Sequence, residues 1–100
     1  MVMAKEISVY PNPFDYYIML EITCEEDLDC IILLADVKEE KIVRMLGAGL
    51  KAGFNRIPLD DLQLLAPGTY QLNIKTAAGD PIYQSKVFKQ SPESPAINLN

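Results

Sequence analysis

The chain has 100 residues, about one domain, and 49 % of them are apolar, enough for a single hydrophobic core. Nine basic against fourteen acidic residues give a net charge of −5, and the basic residues are scattered singly. This excludes the electrostatic footprint of a nucleic-acid binder and disfavours anionic membrane surfaces. With no histidine, neither a Ser-His nor a Cys-His nucleophile pair can be assembled.

The opening six residues lack the apolar core of a signal peptide. The expected location is therefore cytoplasmic if Met1 is the natural start, and secreted or cell-surface if the chain is a fragment of a longer protein. No apolar run approaches the roughly 20 residues of a membrane-spanning helix, so no membrane insertion is expected. Residues 6–10 read as a first strand, stopped by Pro11-Asn12-Pro13, because proline cannot donate to a ladder. Residues 16–24 alternate, with Ile18, Leu20 and Ile22 on one face and Tyr17, Met19, Glu21 and Thr23 on the other. That is the period of a half-buried strand. Tyr17 and Met19 on its polar face mark either a contact patch or a place covered by a loop or the tail.

Glu25 to Asp29 reads as an acidic turn, better explained as a solvated loop than as a calcium site, since it lacks the glycine and spacing of an EF-hand. It separates the two cysteines, Cys24 and Cys30, which an oxidising compartment allows to bridge and a reducing one does not. A loop so short would contribute about 2 kcal/mol if closed. Two thiols without histidine make a poor zinc site, so no metal and no cofactor is expected. Residues 30–35 are apolar on both faces, as in a central strand. A polar turn at 36–40 leads to a mixed strand at 41–46; Gly47-Ala48-Gly49 then reads as a bulge or loop and Lys51-Ala52-Gly53 as a turn.

Residues 54–59 form the next strand. Residues 60–65 are the only helix-like piece, where an aspartate N-cap ahead of leucines suggests one short turn before Pro67-Gly68. Asp60 and Asp61 are expected as caps rather than acid/base partners. Residues 69–75 alternate most clearly, and Ala78-Gly79-Asp80 turns the chain into a last strand at 81–89. Tyr70, just after a Pro-Gly turn, is either the tyrosine corner of a Greek-key sandwich or a plain core tyrosine. Ser91 onward reads as a flexible tail.

About seven strands with turns roughly every 8–12 residues point to one all-β domain over residues 1–90, an immunoglobulin-like antiparallel β-sandwich. No G-x-S-x-G, Walker or G-x-G-x-x-G motif occurs, and no small-molecule substrate is evident. The sequence reads as a non-catalytic module whose partners are proteins.

Four segments carry a resemblance. Ile7-Ser8-Val9-Tyr10-Pro11-Asn12-Pro13-Phe14 is similar to the "VYPNPF" opening of the C-terminal sorting domains of type IX secretion cargo. Residues 50–59 resemble that family's "L-x-x-G-x-N-x-I-x-L" through Gly53 and Asn55, and residues 65–70 its "L-x-x-G-x-Y" through Gly68 and Tyr70. Tyr83-Gln84-Ser85-Lys86-Val87, with Lys89, resembles its closing basic strand. The resemblance implies a compact β-sandwich, read by an outer-membrane translocon, with secretion machinery or cargo as partners. The chain departs from the family by running ten residues past that strand and by the lack of a glycine after Asp36. Leu65-Ala66-Pro67-Gly68-Thr69-Tyr70 also resembles fibronectin type III domains, which implies a binding or spacer module instead; a stand-alone intracellular interaction domain is a further alternative.

Overall fold

A computed structural model of the chain describes residues 4–91. Seven strands follow in order: β1 (Ala4–Tyr10), β2 (Ile18–Cys24), β3 (Leu28–Asp36), β4 (Lys41–Leu50), β5 (Gly53–Leu59), β6 (Gly68–Thr76) and β7 (Pro81–Lys89). They form a three-stranded sheet of order β1-β2-β5 and a four-stranded sheet of order β4-β3-β6-β7, with every strand pairing antiparallel. The fold is thus the expected all-β sandwich, and among the described residues there is no helix. The chain changes sheet between β2 and β3, between β4 and β5, and between β5 and β6, as in Greek-key sandwiches.

Side-chain alternation makes the core. Ile18, Leu20, Ile22 and Cys24 of β2 face Cys30, Ile32 and Leu34 of β3 and Tyr70, Leu72 and Ile74 of β6, all of them buried. Such a row of apolar side chains on one pleated face gains stability only when a second sheet covers it. β3 is buried on both faces at Leu33 because it lies between β4 and β6. The prolines obey the same logic. Pro58 sits in β5 and Pro81 opens β7, both edge strands, where a missing N–H costs no ladder bond.

Several boundaries differ from the sequence expectation. β4 does not stop at Leu46 but runs through Gly47-Ala48-Gly49 to Leu50, because β3 supplies an unbroken register opposite, from Leu46 against Ile32 to Leu50 against Leu28. The irregularity lies instead where Leu34 and Ala35 face Arg44 and Ile42, leaving Val43 as the extra residue. β3 begins at Leu28, which shortens the acidic turn to 25–27, and β2 begins at Ile18 rather than at residue 16. Residues 60–65 make the one short turn expected of them, and it is not helical. Asp61 takes a φ of 63°, outside the helical region, and a single turn closes where the Leu65 N–H donates to the Leu62 carbonyl at 3.1 Å. Leu62 is driven fully into the core and Leu65 packs partly against it, while Leu64 remains 93 % exposed. The expected tail lies, beyond Ser91, outside the described residues.

Candidate recognition site

Most of the residues singled out from sequence fall at the two ends of the sandwich. At one end, the Pro-Asn-Pro-Phe segment carries the chain from β1 to the edge of β7 in the other sheet. Asn12 Oδ1 accepts the Phe88 N–H at 2.9 Å, and Asn12 Nδ2 donates to the Lys86 carbonyl at 3.5 Å. The Phe14 N–H then donates to the Phe88 carbonyl at 2.8 Å, while Gln90 N–H donates to the Phe14 carbonyl at 3.1 Å, forming a parallel bridge with Lys89. Pro11 and Pro13 free the chain from β1 so that this crossing can form. Phe14 is fully buried, and its ring meets Tyr70 edge-on at 6.0 Å and 63°.

Tyr70 Oη donates to the Ala66 carbonyl, four residues upstream, at 2.6 Å. That bond makes it a tyrosine corner rather than a plain core tyrosine. Burial pushes the phenol up from its ordinary value, with Asp36 and Glu39 adding to the effect. Gly68, two residues earlier, adopts a φ of 149°.

Polar clamps close the opposite end. Gly53 takes a φ of 100°, which the turn into β5 requires and a side chain would resist. Asn55 holds that turn: its Oδ1 accepts the Lys51 N–H at 2.8 Å, and its Nδ2 donates to the carbonyls of Lys51 (2.8 Å), Ile22 (3.1 Å) and Gly53 (3.1 Å). Asp27 of the acidic turn adds to it, accepting the Ala52 N–H at 2.9 Å and lying 3.9 Å from Lys51 Nζ. Among the described residues no three His, Cys, Asp or Glu side chains converge as a metal site.

Cys24 and Cys30 are buried here as free thiols rather than a disulfide. Burial pushes both thiols up, and Cys30 is raised further by Cys24 and Asp29. Neither has the electropositive, accessible surroundings of a reactive cysteine.

The remaining candidates divide. Lys86 is exposed on the outer face of β7, whereas Lys89 faces inward opposite Gly68 and keeps only 7 % exposure. An inward lysine at the end of an edge strand opposes pairing with another chain, as an edge-protecting residue should. Tyr17 and Met19 are half-buried: Tyr17 packs its ring 5.4 Å from Tyr16, and Met19 lies opposite Tyr10 on one side and Pro58 on the other. Both side chains thus keep part of their surface exposed beside these neighbours.

Sequence reasoning missed two polar ties. Tyr10 Oη donates to Glu21 Oε2 at 2.6 Å, and Arg56 reaches both, with Nη2 3.3 Å from Tyr10 Oη and Nε 3.4 Å from Glu21 Oε2. Glu21 and Arg56 stand directly opposite in register, a cross-strand charge pair that no linear motif reveals. Arg44 donates from Nε to the Asp60 carbonyl at 3.2 Å and pairs with its carboxylate at 3.4 Å, so Asp60 anchors β4 rather than capping a helix.

A hollow of about 390 Å³ lies between the β3–β4 turn and the approach to β6, lined by Asp36, Lys38, Glu39, Pro67 and Thr69 among others. Its central carboxylate is already engaged, since Asp36 Oδ1 accepts the N–H groups of Lys38 (2.8 Å) and Glu39 (3.1 Å). No protein-family model matches this chain, and no curated protein matches it.

Proposed function

We propose that this domain is a non-catalytic recognition module that acts as a secretion-sorting and cell-surface-targeting unit, of the kind found at the C-terminus of type IX secretion cargo. The observation that carries the reading is where the four resembling segments lie. They are the joints of one sandwich: the Asn12–Phe14 crossing onto β7, the Gly53–Asn55 turn, the Gly68–Tyr70 corner, and β7 itself. Motifs that hold a small, self-sufficient domain together fit a unit appended to varied cargo, because such a unit must fold regardless of what precedes it.

The test is transport. Residues 1–90 are fused behind a signal peptide and reporter in a host with the type IX system. Surface display of the reporter is the expected result; retention in the periplasm defeats the reading. A second reading is a binding or spacer module like the fibronectin type III domains, favoured by the three-plus-four strand order and the tyrosine corner. It rests on fold analogy, which does not by itself assign function.

A further inference from the structure

The outer face of the four-stranded sheet has the opposite electrostatic character to the chain as a whole. Antiparallel partners share a face, so the register builds this surface in rows. Met45, Leu33, Asn73 and Gln84 form one row; Ile42, Ala35, Gln71 and Lys86 form the next. Lys75, beside Ile31, continues it on the side of Asn73 away from Gln71. The charged side chains on these rows are Lys75 and Lys86, which form no ion pair among the described residues, in a protein of net charge −5. Asp29, exposed near the start of β3, stands on the same outward alternation as Ile31 and Leu33, and Glu39 and Asp80 lie in the flanking turns.

The same face carries exposed apolar groups: Ile42 at 55 %, Met45 at 57 % and, on the outward side of β7, Phe88. A depression of about 220 Å³ opens among Leu33, Asn73, Lys75, Pro81 and Gln84. It offers an apolar floor, two carboxamides and one ammonium. The outer face of the other sheet differs, because there Arg56 is spent on Glu21 and Tyr10.

We propose that the outer face of the four-stranded sheet is a docking surface for an extended acidic and apolar segment of a partner protein. Its apolar side chains lie against Leu33, Ile42 and Met45, and its carboxylates lie toward Lys75 and Lys86. Charge complementarity selects this occupant. A second copy would set the same two lysines against each other, and a basic peptide would be repelled. An extended peptide places alternate side chains on one side, which suits a flat surface carrying both apolar and cationic groups. The proposal does not rest on the sorting reading: a reporter that reaches the surface and a face that binds nothing would be separate results.

The test uses the full chain and a fluorescein-labelled, end-blocked heptapeptide of alternating glutamate and leucine, with lysine–leucine and glutamate–serine counterparts as comparisons. Anisotropy should show binding of the glutamate–leucine peptide alone, and amide resonances of Leu33, Met45, Asn73, Lys75 and Gln84 should shift. The double variant Lys75→Glu/Lys86→Glu should weaken binding by roughly tenfold or more, as should high salt, which screens exposed charges. Met45→Ser should weaken it while leaving the melting temperature unchanged, and Lys38→Glu, off this face, should change nothing. Four results would overturn the proposal: no binding, equal binding of the lysine–leucine peptide, resonance shifts confined to β1, β2 and β5, or capture of this face by vesicles of anionic lipid or by a second copy in preference to the peptide.

Discussion

The two ends of this sandwich are closed by different physics. At the Phe14 end, closure is long-range and largely apolar: a ring from the chain's first third packs on Tyr70, and the backbone around it bonds to β7, more than seventy residues away. At the Asn55 end, closure is largely local and polar: one carboxamide clamps a turn whose ends are four residues apart, and Asp27 reaches over from the neighbouring turn. The first kind of closure requires the whole fold before it contributes. The second ties a short turn where the chain passes from β4 in one sheet to β5 in the other, with added bonds to the Ile22 carbonyl and to Asp27. An all-β chain, dominated by non-local pairing, is expected to consolidate the second kind earlier.

Substitutions at four positions sharpen or break this contrast. Phe14→Ala should cost the most, about 3–5 kcal/mol by chemical denaturation, because it empties a fully buried site and removes the ring against Tyr70. A loss below that of any single change at the other end would break the comparison. Asn55→Ala should cost about 1–3 kcal/mol, since it leaves the Ile22 carbonyl and the turn N–H without their partner. Loss of the same size for Asn55→Asp would show that the donated bonds dominate, because Asp keeps only the acceptor.

Gly53→Ala should cost about 1 kcal/mol or more through the backbone alone, for a Cβ there meets nothing within 4 Å while φ is 100°. Tyr70→Phe should cost about 1 kcal/mol, the share of one hydrogen bond, with the ring contact to Phe14 retained.

The same tyrosine and the two thiols fix the alkaline limb of stability. All three have folded-state values raised above the ordinary ones. Their contribution is complete below the ordinary values, 9.0 for the thiols and 10.0 for the phenol, and is lost as pH rises through the raised ones. Unfolding midpoints followed from neutral to alkaline pH should therefore fall. The Cys24→Ala/Cys30→Ala variant should start from lower stability but show a shallower fall in the thiol range. An unchanged slope would assign the alkaline loss elsewhere.

Much of the fold was legible because the governing signals are local. The alternation in residues 18–24 and 69–75 named both faces correctly, and Gly53 with Asn55 marked a turn by residue type alone. Failures came where tertiary context overrode local preference. Gly47 and Gly49 look like a loop, yet the register of β3 keeps them in a ladder. The leucines of residues 60–65 follow an aspartate as in a helical first turn, yet their path follows the burial of Leu62 and the partial packing of Leu65. The partner of Arg44, the Tyr10–Glu21–Arg56 tie and the two-lysine face are each assembled from different strands. No spacing along the chain encodes them.

Residue order alone settled that this protein is an all-β sandwich and where most of its strands lie, since side-chain period and proline or glycine placement act within a few residues. Only the assembled sheets decided that Tyr70 is a corner, that Phe14 seals one end, that Cys24 and Cys30 are free thiols in the core, and that one outer face is apolar and cationic on an acidic domain. Each of these depends on which strand stands beside which, and that pairing is fixed by burial of the whole core rather than by any one segment of it.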